Sequence, residues 1–186
     1  AFTIQACMGT VMPIAETTAC LPLSLLNDEG YLAFCESDFN VIPAGILLHY
    51  MSGRPVFLND PTFPHHGMVT VAHCTAPLQM DGAHGKPAPY LLRGHSEVHG
   101  SGCVPEIQYR LGETITRTKL INLDTILAST GKIIEVPEKS VRACRTQIVT
   151  EVRDAAKMAI NWSSALETED AMTLLHRVVF YGDHMD

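Results

Sequence analysis

Residues 41–51 are apolar almost throughout, and a helix without a polar face has to be enclosed by other elements. The run carries helix punctuation: Asn40 is a ready N-cap, Pro43 suits the first turn and Gly53 ends the pattern. Residues 31–35 (Tyr-Leu-Ala-Phe-Cys) read as a short buried strand after a turn at Gly30. Cys35-Glu36-Ser37-Asp38 is therefore expected where a strand ends and a buried helix begins, the position at which open α/β folds place ligand sites. The positive end of the helix dipole favours an ionised Asp38. A carboxylate held there can ligate a metal ion or act as a base. A Glu and an Asp in such a turn more often serve capping and solvation, and both readings stand at this point.

Around this stretch, residues 1–7 read as a first strand, 19–29 as a helix with Leu23 and Leu26 on one face, 40–52 as a second helix and 55–58 as a third strand. This β-α-β-α-β order predicts a parallel sheet. Beyond Asp60 the character changes. Loops rich in Pro, Gly and His (61–67 and 81–89) separate strand-favouring runs at 68–73, 90–99, 106–111, 114–122, 132–136, 144–152 and 175–181. Short strands with turns between them suggest an antiparallel sheet or barrel. Helical pattern returns at 152–161 and 167–174. The expected fold class is an α/β segment over 1–60, with a parallel β-α-β arrangement, followed by an antiparallel β-rich, barrel-like domain over 61–186. The two are separate units or one continuous fold. The chain opens at Ala1 inside a strand-like run, as a fragment or a processed chain would.

Composition narrows the function classes. The 186 residues are 46% hydrophobic and 18% charged, which supports a substantial core and argues against disorder. A net charge of −7 without a basic cluster argues against nucleic acid or an anionic membrane as partner. No apolar run approaches the roughly 20 residues that span a bilayer, and no signal-peptide pattern opens the chain. The six cysteines stand singly, with no Cys-x-x-Cys. They read as buried free thiols of a reducing compartment, so the cytoplasm is the expected location.

Several ionisable residues stand out. In the run 90–99 a period of two puts Arg93, His95, Glu97 and His99 on one face. Such a face either binds a polyhydroxylated ligand or is the solvated side of an edge strand. His73 closes an apolar strand where it can reach a cleft, although a lone His is more often a structural hydrogen-bonder. A Cys74–His73 nucleophile pair is disfavoured, because neighbours in a strand point to opposite faces. Arg145 can fork onto a carboxylate and orient it. His176 opens the last apolar strand, and His65-His66 reads as surface.

Taken together and in order, Thr17-Thr18-Ala19-Cys20, Leu25-Leu26-Asn27-Asp28-Glu29-Gly30, Cys35-Glu36-Ser37-Asp38, Ser52-Gly53-Arg54-Pro55-Val56-Phe57, Ala72-His73-Cys74-Thr75-Ala76-Pro77, Cys144-Arg145-Thr146-Gln147 and His176 with Tyr181-Gly182-Asp183 resemble the C-terminal half of L-fucose isomerase and its sugar-isomerase-like relatives. The resemblance covers nearly the whole chain. It implies a homo-oligomeric aldose–ketose isomerase holding a divalent cation, usually manganese, on a Glu, an Asp and a His. Asp38 matches the Asp and His176 best matches the His. The Glu is expected close to Cys7, where this chain reads Cys7-Met8-Gly9-Thr10 and the nearest carboxylate is Glu16. The N-terminal α/β domains of the family have no counterpart in the sequence, so a preceding segment or a partner chain is a further expectation.

In such a site a divalent cation polarises the C1 carbonyl and C2 hydroxyl of an open-chain sugar, and a carboxylate moves a proton through an enediol. With Asp38 and His176 as the ligands the resemblance implies, that mechanism makes Asp38 the candidate base and Glu36 a second candidate catalytic carboxylate, and His73, Arg93, His95, Glu97 and Arg145 candidates for binding the sugar or supporting the site. The alternative is a non-catalytic carbohydrate-binding or assembly domain on the same fold, favoured by the missing acid near Cys7. A metal-dependent hydrolase would need a water-activating base that the sequence does not single out.

Overall fold

The computed structural model describes residues 1–96, 100–121, 123–137, 143–152 and 176–185. Among these the chain runs β1 (Phe2–Ile4), α1 (Cys7–Ala15), α2 (Cys20–Asp28), β2 (Ala33–Cys35), α3 (Ile42–Ser52), β3 (Phe57–His65), β4 (Met68–Ala72), β5 (Tyr90–Arg93), β6 (Val104–Ile107), β7 (Thr114–Ile121), β8 (Thr125–Glu135), β9 (Gln147–Glu151) and β10 (Arg177–Tyr181). The helical patterns expected at 152–161 and 167–174 lie almost wholly outside the described residues.

The β-rich part is a closed antiparallel barrel in the order β10-β3-β4-β9-β8-β7. Closure leaves no open edge strand. Phe57, Val71, Ile115, Ile133, Ile148, Val179 and Tyr181 share one buried cluster with Ile107 of β6 and with Ala76, Leu78, Met80 and Tyr109 from the connecting segments. The Tyr109 hydroxyl donates to the Pro77 carbonyl at 2.5 Å, which satisfies its polar end inside that core.

The parallel part is smaller than expected. β1 pairs with β2 in parallel, Phe2 opposite Ala33 and Ile4 opposite Cys35, and the sheet stops at these two strands. The run expected as its third strand instead becomes β3, which is longer and belongs to the barrel, so the β-α-β-α-β sheet does not form and the residue-60 division falls inside a strand. The reason is two-sided burial. Leu58, Val178 and Phe180 pack with Leu32, Phe34, Val41, Ile42, Ala44 and Leu48, while their neighbours Phe57 and Val179 face the other core. A strand apolar on both faces suits a barrel wall with a helix outside it as well as it suits a parallel sheet.

α3 lies against that wall. A Cβ on Gly45 would stand 2.8 Å from the Phe34 ring and 3.2 Å from Val56, so a glycine is what permits the approach. The helix is not enclosed on every side: Leu47, Tyr50 and Met51 are exposed. Its N-cap is Val41 rather than Asn40. Asp38 organises the turn instead, its Oδ1 accepting the Asn40 N–H at 2.9 Å and its carbonyl accepting the Ile42 N–H at 2.9 Å.

α2 is tied to β2 by one buried side chain. Asn27 Nδ2 donates to the Ala33 carbonyl at 2.7 Å, and its Oδ1 accepts the Ala33 N–H at 3.1 Å. α1 occupies the stretch expected to carry an acid near Cys7, and Glu16 is its exposed C-cap.

Candidate metal centre

β3 and β10 run antiparallel with Asn59 opposite Arg177, so His176 enters β10 directly across from Asp60. The turn after β2 brings Glu36 and Asp38 to the same point. His176 is fully buried. Its Nδ1 donates to Asp38 Oδ2 at 2.9 Å and its Nε2 to Glu36 Oε2 at 2.8 Å, with Asp60 Oδ1 3.2 Å from Nε2. The His73 ring stands 6.3 Å from the His176 ring, centroid to centroid. One ligand atom from each of Asp60, His73 and His176 lies within 4.8 Å of the others, and Cys35, Glu36 and His73 form an overlapping group. His73 Nδ1 is 3.1 Å from Thr75 Oγ1, a contact that sets the ring orientation.

The site is buried on one side and open on the other. The Asp38 side chain is 7% exposed and that of Glu36 48%. Glu36 holds a left-handed backbone, φ 60°, which is uncommon outside glycine and turns its carboxylate back toward His176.

Burial pulls the His176 pKa down, but the hydrogen bonds to Asp38 and Glu36 and the charge of Asp60 outweigh it and bring the value up to about 9. The hydrogen bond from His176 holds Glu36 below the usual carboxylate range against the opposing effect of burial. Burial raises Asp38, yet the bonds from His176 and the Asn40 N–H and the nearby Lys119 charge leave it lowered. Burial takes His73 down to about 4, so it stands as a neutral imidazole. Burial and the Glu36 charge push the Cys35 thiol up. Three carboxyl groups around one imidazolium leave a surplus of negative charge. Oxygen and imidazole donors of this kind suit a divalent cation of the magnesium-to-zinc range.

Of the residues singled out by sequence, Glu36, Asp38, His73 and His176 come together here. Arg93, His95 and Arg145 have other partners. β5 ends at Arg93, so among the described residues the strand does not continue to His95. A Cβ on Gly94 would stand 1.9 Å from the Gly100 carbonyl oxygen, and that close crossing replaces strand by turn. His95 is buried with its Nε2 3.2 Å from Cys74 Sγ. Arg93 and Arg145 both pair with Glu106, at 3.6 Å each, and Arg145 Nε donates to the Gly94 carbonyl at 2.7 Å. The carboxylate that Arg145 orients is therefore Glu106. Glu97 and His99 lie outside the described residues.

Asp60 is the site residue that sequence reasoning missed. It reads as the boundary between two regions, whereas it belongs to the middle of β3. The signal was there in Asn59-Asp60 following an apolar strand run, since a carboxylate in a two-sided buried strand needs a partner. Compared with family models and with curated proteins, the sequence matches none of either.

Proposed function

We propose that this chain carries a divalent-metal-dependent aldose–ketose isomerase site of the fucose- or arabinose-isomerase kind. The observation behind this reading is the meeting of Asp38 and His176, 138 positions apart, with two further carboxylates and a second imidazole around them. Those two residues are the ones the family resemblance marks as ligands.

Asp60, the neutral His73 and His176, through its Nε2 once that nitrogen gives up its proton, would hold the cation; manganese is favoured by the resemblance and suits the oxygen and nitrogen donors. When bound, the cation polarises the C1 carbonyl and C2 hydroxyl of an open-chain sugar. Glu36, half-exposed and low in pKa, is the carboxylate placed to take the C2 proton and return it at C1 through an enediol. It thereby fills the role of the acid missing near Cys7. The buried Asp38 keeps the His176 ring oriented by its bond to Nδ1.

The full chain with Mn²⁺ should interconvert an aldose and its ketose, lose activity to a chelator, and lose both activity and metal in Asp38→Asn and His176→Ala. Unchanged metal uptake in those variants rules the site out. The second reading, a carbohydrate-binding or assembly domain, is favoured by the exposed position of Glu16. Calorimetry separates the two, because sugar binding indifferent to chelator supports the domain without catalysis.

A further inference from the structure

One peptide bond beyond His73, Cys74 turns the other way, into a separate buried group. Cys20, Cys74 and Val104 form a small buried cluster with Cys144 packed against it. Cys74 Sγ is 3.2 Å from His95 Nε2 and packs beside the Cys20 and Cys144 thiols. The donor atoms of Cys20, Cys74 and His95 all lie within 4.8 Å of one another. These residues come from four separate places in the chain: the start of α2, the turn after β4, the turn after β5 and the approach to β9.

We propose that Cys20, Cys74, Cys144 and His95 bind one zinc ion in a closed structural site that staples α2 to the barrel. Three thiols and an imidazole are the soft donor set of tetrahedral zinc, and the burial of Cys20, Cys74 and His95 leaves no open position for a substrate. Zinc–sulfur bonds of about 2.3 Å put tetrahedral sulfurs roughly 3.8 Å apart, and the Cys20, Cys74 and His95 donor atoms already lie within 4.8 Å of one another, with Cys144 adjacent to close on the ion. Packing alone explains one buried thiol, which behaves as a small hydrophobe. It does not explain why two thiols from distant segments gather around an imidazole nitrogen with a third packed against them. The staple has a mechanical sense as well. The Leu21 N–H donates to the Cys103 carbonyl at 3.2 Å, so the start of α2 already rests on the approach to β6, and the metal would lock that junction. It would also hold Cys74, and with it the adjacent His73 at the candidate centre.

The test uses the full chain purified under reducing conditions from zinc-supplemented medium. Elemental analysis should find about one zinc per chain, with a sulfur-dominated shell at the zinc X-ray absorption edge. That zinc should be lost in Cys74→Ser and retained in Asp38→Asn, which separates it from the carboxylate centre. Should Cys74→Ser fail to fold, the absorption spectrum of the unaltered protein decides alone. A shell of oxygen and nitrogen only, absence of bound zinc, or full zinc retention in a folded Cys74→Ser overturns the proposal.

Discussion

His73 and Cys74 are neighbours in sequence, yet each belongs to a different cluster. His73 faces the Asp60 and Glu36 carboxylates and a second imidazole, in a site that opens to solvent at Glu36. Cys74 faces thiols and a buried imidazole. One group offers hard donors and an accessible side, which suits exchangeable chemistry; the other offers soft donors and closure, which suits structure. At the turn after β4 a single peptide bond is enough to send adjacent side chains into two different donor sets.

The strongest way to break this comparison is at His176. His176→Ala leaves the buried Asp38 without its cation, which costs about 3–5 kcal/mol in the metal-free protein by denaturant unfolding. Manganese uptake should vanish while zinc on the thiol group stays. Glu36→Gln sharpens the functional half: turnover should fall on the order of 10²- to 10⁴-fold while bound manganese persists, read by steady-state kinetics beside metal analysis. A loss of metal instead would make Glu36 a ligand.

Two smaller effects probe the helices that carry each cluster. α2, which starts at Cys20, ends at buried Asp28, whose carboxyl burial raises to about 6 despite bonds from the Gln79 and Leu78 N–H groups. Because the folded value lies above the unfolded one, the folded chain holds this proton more tightly. The stability it brings is complete below about 4 and is lost as pH rises through about 6, a change on the order of 3 kcal/mol. Urea unfolding between pH 4 and 7 should show that slope in the parent chain and a flatter one in Asp28→Asn. α3, which follows Asp38, depends on Gly45. Gly45→Ala should lose about 1–2 kcal/mol against the Phe34 ring, more than the gain in helix propensity, with a matching drop in thermal midpoint.

Much of this was legible in the order of residues. The barrel was readable from short strand-favouring runs with turns between them, Asp38 from its place between two apolar runs, and His176 only through the family resemblance. Other parts were not. β3 is buried on both faces, and such a strand carries no alternation to say whether a sheet or a barrel wall awaits it, so Asp60 was passed over as a boundary. The thiol group is assembled from positions 20, 74, 95 and 144, and without close spacing nothing local announces it. Arg145 did find a carboxylate, but which one depended on the turn at Gly94.

The central claim is that His176, held in place by Asp38, shares one cation with Asp60 and His73. A titration of Mn²⁺ into the full chain and its His176→Ala variant, followed by the paramagnetic resonance of the free ion, addresses it directly. The account predicts that the parent chain removes about one equivalent of free signal and that the variant leaves it in solution. Equal uptake by both chains would contradict it.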